Sequence, residues 1–420
     1  MGNEAASLAV FVLSYLLISA QSQTLVRLNR PAAALLGAVL MVLATDLTLE
    51  TAFTLVNWDT ITLLLGMMII VAYLRMARFF DLAAYHLLRA ASGPARLVWL
   101  LVFASGGLSA LFVNDTICLL FTPIVLLVAV RSRMNPVPFL LALATGSNVG
   151  SVVTLTGNPQ NMIIGTELIR RHPEWSFARF SLLMMPIGLV SMAIAAAVIV
   201  HTYRAELRGR VMHGETLARP RVNGRLIRKC LVVLACVLAG FLAFPRSLPL
   251  VALVGGVALL CWSRRDPHKV FARVDWTLLL FFAALFVIVG GVNRSGVIEQ
   301  IHARAAPLFD GGPAREIGVF SGASILLSQV LSNVPYVLVA GSWVESFHRP
   351  ALGWLTLSMA STFAGNLTIF GSVANMIVVE IARDEAPISF WAYSRVGIPI
   401  TLLTIGVGAA ILAIYYQLPI

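Results

Sequence analysis

Four short polar clusters interrupt long apolar runs in this chain: Asn114-Asp115-Thr116, residues 154–161 (TLTGNPQN), Ser332-Asn333-Val334 and residues 365–375 (GNLTIFGSVAN). Amides and hydroxyls of this kind suit half-helices that meet part-way through a membrane. The N-termini of such half-helices offer free N–H groups to an anion or a neutral oxygen ligand. Their C-termini offer carbonyls to a cation. Glycine lets backbones approach closely, so Gly157, Gly365 and Gly371 read as hinge or backbone positions, and Pro159 stops a helix where the second half has Val373. The plainer alternative is that these small and polar residues only help helices pack.

Asp115 is the only side chain charged at neutral pH between Leu97 and Val130. A carboxylate at membrane depth costs about 2.5–3.5 kcal/mol on insertion scales, so it is kept for a reason. Asp115 could carry a proton, binding it on one side and releasing it on the other. It could ligate a cation, or cap the helix that follows by accepting backbone N–H bonds. The second half has no acid at the matching place, because Val334 follows Asn333.

The elements that must hold these clusters follow from composition. The chain is 59% hydrophobic and 12% charged, and its mean hydropathy is +0.88. That is far from a soluble domain, and the apolar runs are continuous rather than alternating, so the fold class is an all-α polytopic membrane protein. The first run, 5–20, lacks the basic start of a cleaved signal and reads as a span. Further spans are expected at 31–45, 60–74, 136–169, 181–200, 230–244, 249–262, 277–292, 352–381 and 399–416, two of them interrupted. The stretches 97–130 and 317–343 are either pairs of ordinary spans or re-entrant hairpins, whose bare tips would be tolerated only inside protein or against water.

Charge selects the hairpins. Basic clusters at Arg27/Arg30, Arg75–Arg96, Arg131/Arg133, 204–229 and Arg264–Arg273 all fall on one side when both stretches return to the face they left. Ten spans result, with both termini outside; Arg170 and Arg171 dissent. The net charge of +11 is thus loop charge in a bilayer, not a nucleic-acid signal. Residues 1–203 form a first repeat, 204–229 a basic cytoplasmic connector, and 230–420 a second repeat. Five spans per repeat make the two inverted. TLTGNPQNMIIG (154–165) matches TIFGSVANMIVV (368–379), pairing Asn161 with Asn375, and Asn114 pairs with Asn333. Inverted repeats with broken helices point to a secondary transporter. Two amphipathic stretches, 77–90 and 293–305, read as interfacial helices. The four cysteines have no ligand spacing, and the histidines form no HExxH or serine couple, so no enzyme, metal site or cofactor is expected. A channel is the remaining alternative class.

FVNDTICLLFTPIVLL and LSNVPYVLVAG resemble the hairpin tips of the ion transporter superfamily, and TLTGNPQN and GNLTIFGSVANMIV its broken helices. That group includes sodium–dicarboxylate symporters, the melanosomal P-protein, bacterial sodium/proton antiporters and the arsenite efflux permease. The resemblance implies a homodimer with a scaffold domain and a transport domain that moves as an elevator. It places Asn114, Asp115, Thr116, Ser332 and Asn333 at the tips around substrate and cation, and Asn158, Asn161, Asn366, Thr368, Ser372 and Asn375 along the broken helices. The tips read Asn-Asp-Thr and Ser-Asn-Val rather than the Ser-Asn-Thr of the dicarboxylate branch, and look most like the arsenite permease branch. The expected function is arsenite or antimonite efflux coupled to protons through Asp115. The alternative is a sodium- or proton-coupled permease for an inorganic oxyanion or dicarboxylate. Expected partners are a small inorganic substrate, a coupling ion (H+ or Na+), lipid, a second copy of the chain and an arsenite-stimulated ATPase subunit, with no nucleic acid. The expected location is a prokaryotic inner or plasma membrane.

Overall fold

The computed structural model describes residues 2–19, 29–208 and 219–418, and it is helical throughout those residues. Arg27 and the connector residues 209–218 lie outside the described residues. The first half runs α1 (Gly2–Ser19), α2 (Arg30–Ala44), α3 (Leu49–Leu55), α4 (Trp58–Met76), α5 (Phe79–Ala90), α6 (Pro94–Leu111), α7 (Asn114–Arg131), α8 (Val137–Ser151), α9 (Pro159–Arg171) and α10 (Phe177–Thr202). After the short α11 (Arg204–Leu207) the second half repeats that order. Its elements are α12 (Gly224–Ala243), α13 (Leu248–Ser263), α14 (Pro267–Phe271), α15 (Trp276–Arg294), α16 (Val297–Phe309), α17 (Pro313–Leu331), α18 (Asn333–Val344), α19 (Pro350–Ala364), α20 (Val373–Ala382) and α21 (Phe390–Gln417).

Corresponding helices even share their punctuation. Proline opens both α6 and α17, and Pro186 inside α10 matches Pro399 inside α21. Packing partners are exchanged between the halves: α4 lies on α13 and α15 on α2, while α7 lies on α20 and α18 on α9. Such reciprocal pairing is what a two-fold relation between repeats produces. The interfacial helices α5 and α16 follow α4 and α15, each starting a few residues later than the amphipathic pattern indicates because Arg78 and Gly296, just before them, sit at positive φ. The short helices α3 and α14 were not legible as separate elements.

Among the described residues, eight helices are long and apolar enough to cross a bilayer, and two of these are α6 and α7. Those two form a hairpin rather than two crossings. α6 and α8 run parallel in register: Val102 abuts Gly146, and Gly106 abuts Gly150. The carbonyl of Ala110 accepts the hydroxyls of Thr154 and Thr156. α6 turns back at Phe112-Val113, at the depth where α8 breaks, and the N–H of Asn114 donates to the carbonyl of Gly157 at 3.0 Å. α8 and α9 share one crossing between them, so a tip bonded to their break ends part-way through. The second hairpin, α17–α18, is tied likewise: Gln329 Nε2 donates to the Ala364 carbonyl at 2.8 Å. Each half therefore has an odd number of crossings, and the two halves must point in opposite directions.

Arg170 and Arg171, the exceptions to the charge rule, are locally neutralised. Both bond Glu167, and Arg171 also lies 3.8 Å from Glu345 on the second hairpin.

The α6–α8 seam depends on having no side chain between the backbones. A Cβ at Gly150 would lie 2.1 Å from Gly106 Cα, whereas one at Gly107, on the same helix as Gly106, would meet nothing within 4 Å. Gly150→Ala is expected to lower the thermal midpoint of the purified protein, at a cost of about 1–3 kcal/mol of overpacking. Gly107→Ala should leave it unchanged or slightly raised.

Candidate functional site

Four half-helices, α7, α9, α18 and α20, start at one place. Asn114 and Asp115, Pro159 and Gln160, Ser332 and Asn333, and Ser372 and Val373 line one wall of a single cavity of about 340 Å³. The opposite wall is Ile18, Arg30 and the first two turns of α15, with Leu278, Phe281 and Phe282. Four helix N-termini facing one space concentrate positive dipole ends on whatever occupies it. A further cavity of about 430 Å³ lies along the C-terminal half of α15, beside Asn57, Glu167, Arg171 and Asn293. The two cavities flank the half-helices from opposite ends of α15.

Behind the cavity wall is a frame of buried amides. Asn161 Nδ2 donates to the carbonyls of Ser151 (3.3 Å) and Thr154 (3.0 Å), closing the first break. Asn375 Nδ2 does the same in the second, to Gly365 (2.8 Å) and Thr368 (3.1 Å). Asn158 caps α9 by accepting from the N–H of Asn161 at 2.8 Å, and donates to Ser151 and Thr362. Gly157 is required because a Cβ there would stand 2.0 Å from the Ser151 carbonyl oxygen. Gly371 would put one 2.8 Å from the Gly365 carbonyl.

The two halves meet at Asn148. Its Nδ2 donates to Asn366 Oδ1 (2.9 Å) and Asn375 Oδ1 (2.8 Å), and its Oδ1 accepts from Asn114 Nδ2 (2.9 Å) and Ser372 Oγ (3.0 Å). One side chain thus joins the first tip, the first broken helix and the second broken helix. A second contact between the halves runs from the Ser358 hydroxyl to Asn161 Oδ1 at 2.7 Å. At the second tip the Asn333 amide faces the carbonyls of Ser361 (3.1 Å) and Gly371 (3.2 Å), which assigns its nitrogen to that side.

The structure divides the expected site residues into two groups. Asn114, Asp115, Ser332, Asn333, Ser372 and the hinge residue Pro159 line the cavity. Asn158, Asn161, Asn366, Thr368 and Asn375 stand behind it in the frame, with Thr368 bonded to Gln329 Oε1 at 2.8 Å. Thr116 is absent from the cavity lining and is the next residue along α7. Two expectations are corrected. Asp115 is not a helix cap: the cap position is Val113, with no side-chain bond, so the carboxylate is left for the cavity. Arg30 is also more than a loop charge. Read from the sequence as such, it opens α2 and lines the same cavity as Asp115, because the fold brings α2 beside α15.

Asn148 and Gln329 escaped the sequence reading. A signal existed for the first, since Ser147-Asn148-Val149 repeats the tip tripeptide Ser332-Asn333-Val334 inside another apolar run. Among the described residues, Asn114 Oδ1, Asn366 Nδ2 and Arg30 Nε have no partner.

These features match the CitMHS citrate transporter family over residues 15–364. The chain belongs to the citrate transporter family. It is a membrane transporter, integral to the bilayer, and not an enzyme. It is similar to the 46 kDa membrane protein of Mycobacterium leprae, 33% identical over 98% of each chain. It is also similar to the silicon efflux transporter LSI3 of rice (Oryza sativa subsp. japonica), 29% identical over 91% of this chain and 92% of that one. Among solved structures it shares its fold with the YdaH transporter of Alcanivorax borkumensis, whose topology is described as unusual. That match has a TM-score of 0.58 and 15% identity over 99% of this chain and 98% of the other.

Two substitutions test the frame and the tip. Asn148→Ala breaks four buried bonds and strands their partners, so it should cost about 3 kcal/mol or more, read as a fall in thermal midpoint. Ser332 holds φ 65° and ψ 160°, a conformation favoured only by glycine. Ser332→Gly should therefore raise the midpoint, relieving about 1–3 kcal/mol of strain, whereas Ser332→Ala should not.

Proposed function

We propose that this citrate transporter family member exports arsenite or antimonite in exchange for protons, with Asp115 as the proton carrier. The observation that carries this reading is the convergence of four half-helix N-termini, two tip amides and a single carboxylate on one cavity. Arsenous acid is an uncharged triol near neutral pH. It would present hydroxyls to the Asn114 and Asn333 amides, the Ser332 and Ser372 hydroxyls, and the free N–H groups. With Asp115 ionised, Arg30 and Asp115 cancel, and a neutral cavity suits a neutral hydroxide. The similarity to a silicon efflux transporter supports the reading, because dissolved silicon is also an uncharged hydroxide.

Transport would proceed by movement of the half-helix layer past the α2–α15 layer, elevator fashion. The cavities at either end of α15 support two-sided access. Oppositely oriented halves put both termini on one side, here taken as the outside, and a homodimer is a further proposal. An ATPase subunit is a further proposal that an arsenite substrate would bring.

A second reading is favoured by Arg30: a guanidinium in the cavity, with the family's description, fits a sodium- or proton-coupled permease for a dicarboxylate or inorganic oxyanion. Everted vesicles separate the two. Proton-driven accumulation of arsenite, reduced at least about tenfold in Asp115→Asn by loss of the titrating group, is the expected result. Sodium-stimulated uptake of succinate or sulfate without arsenite transport would select the second reading.

A further inference from the structure

Arg30 and Asp115 stand on different layers. Arg30 begins α2, which packs on α1 and α15, whereas Asp115 belongs to α7, which packs on α5, α6, α8 and α20. They are the two charged residues that line the cavity, one of each sign; Asp275, the N-cap of α15, is a further acid close enough to act on Asp115. Arg30 forms no ion pair among the described residues. Its Nη2 lies 3.0 Å from Met376 Sδ, a weak acceptor, and its Nε is buried without a partner. A partly buried guanidinium left in that state costs several kcal/mol unless a negative charge faces it.

We propose that Arg30 is the counter-ion that the α1–α2–α15 layer supplies to Asp115, and that this pairing across the cavity couples proton release to the position of the hairpin. In the conformation described, Asp115 shares its cavity with Arg30, whose positive charge favours the carboxylate: the O–H bond breaks and the proton leaves on cavity water. No electron moves and the substrate is unchanged. When the half-helix layer shifts, Arg30 stays behind, and Asp115 crosses only after taking up a proton from the other side. The acid is therefore compensated by arginine at one end of the stroke and by a proton during it. Arg30 acts through Asp115 as a positioning charge and not as a ligand of the substrate. This rests on the reading of the chain as a secondary transporter with Asp115 as proton carrier.

The test is a charge-paired mutant cycle on the full chain: Arg30→Gln, Arg30→Lys, Asp115→Asn and the double Arg30→Gln/Asp115→Asn. For purified protein without ligand, R30Q is expected to lower the thermal midpoint by several degrees, and adding D115N should restore it. Additive effects would overturn the proposal. If R30Q alone does not fold, the double variant is still expected to; failure of both would overturn it as well. In everted vesicles, R30Q should lose about tenfold more of the proton-driven arsenite accumulation than of arsenite counterflow, the loss expected when one partner of a desolvated charge pair stands alone. R30K should keep most of both, and R30Q should add little to D115N. Equal loss of counterflow in R30Q, multiplying with D115N, would make Arg30 a substrate ligand and overturn the proposal. A wild-type protein that moves no arsenite would refute the substrate reading alone, since the thermal cycle still decides the pair.

Discussion

A helix that stops inside a bilayer leaves backbone N–H and carbonyl groups with no water to meet them, and each must find a partner in the protein. In this chain that requirement falls on a few asparagines. Asn161 and Asn375 each close one break by donating to its carbonyls, and Asn148 draws both breaks and the first tip together. Glycines at 157 and 371 make the closure possible, since any side chain would collide with the opposing carbonyl. The donors left over at the four helix starts then have one direction to face, which is the shared cavity. The site is in this sense a by-product of how the interruptions are satisfied.

The two-fold relation builds the pocket, and departures from it supply the chemistry. Asn114 and Asn333 occupy equivalent tips, but the following residues are Asp115 and Val334. Pro159 and Val373 are equivalent starts with different backbone rigidity. Ser332 holds a strained conformation, whereas Val113, just before the first-tip asparagine, sits at φ −48°. Arg30 opens α2, while the equivalent α13 opens with Leu248. One acid and one base therefore line the cavity, which gives the site a direction that the fold lacks.

Much of this was legible because membrane burial is harsh on polar atoms. The four polar clusters stood out against apolar flanks, and the matched TLTGNPQN and GNLTIFGSVAN segments fixed the register of the repeat. The hairpins followed from where arginines fell. Less legible were residues whose role depends on what lies across from them. Asn158, Asn161 and Asn375 carried the right chemistry, yet they hold backbone rather than face the cavity. Gln329 looked like an ordinary residue near a helix end, and its bonds to Ala364 and Thr368 link segments distant in sequence.

The amino-acid sequence by itself determined an all-helical membrane chain, two related halves, the breaks and the two tips. These depend on local hydropathy, loop charge and short motifs, which a linear chain carries openly. The tertiary structure alone decided that the four half-helix starts share one cavity, that Asn148 is the joint between halves, and that Arg30 lines the same cavity as Asp115. Each depends on the exchanged packing of α2 with α15 and α7 with α20, and a pairing between distant helices leaves no trace in the spacing of either one.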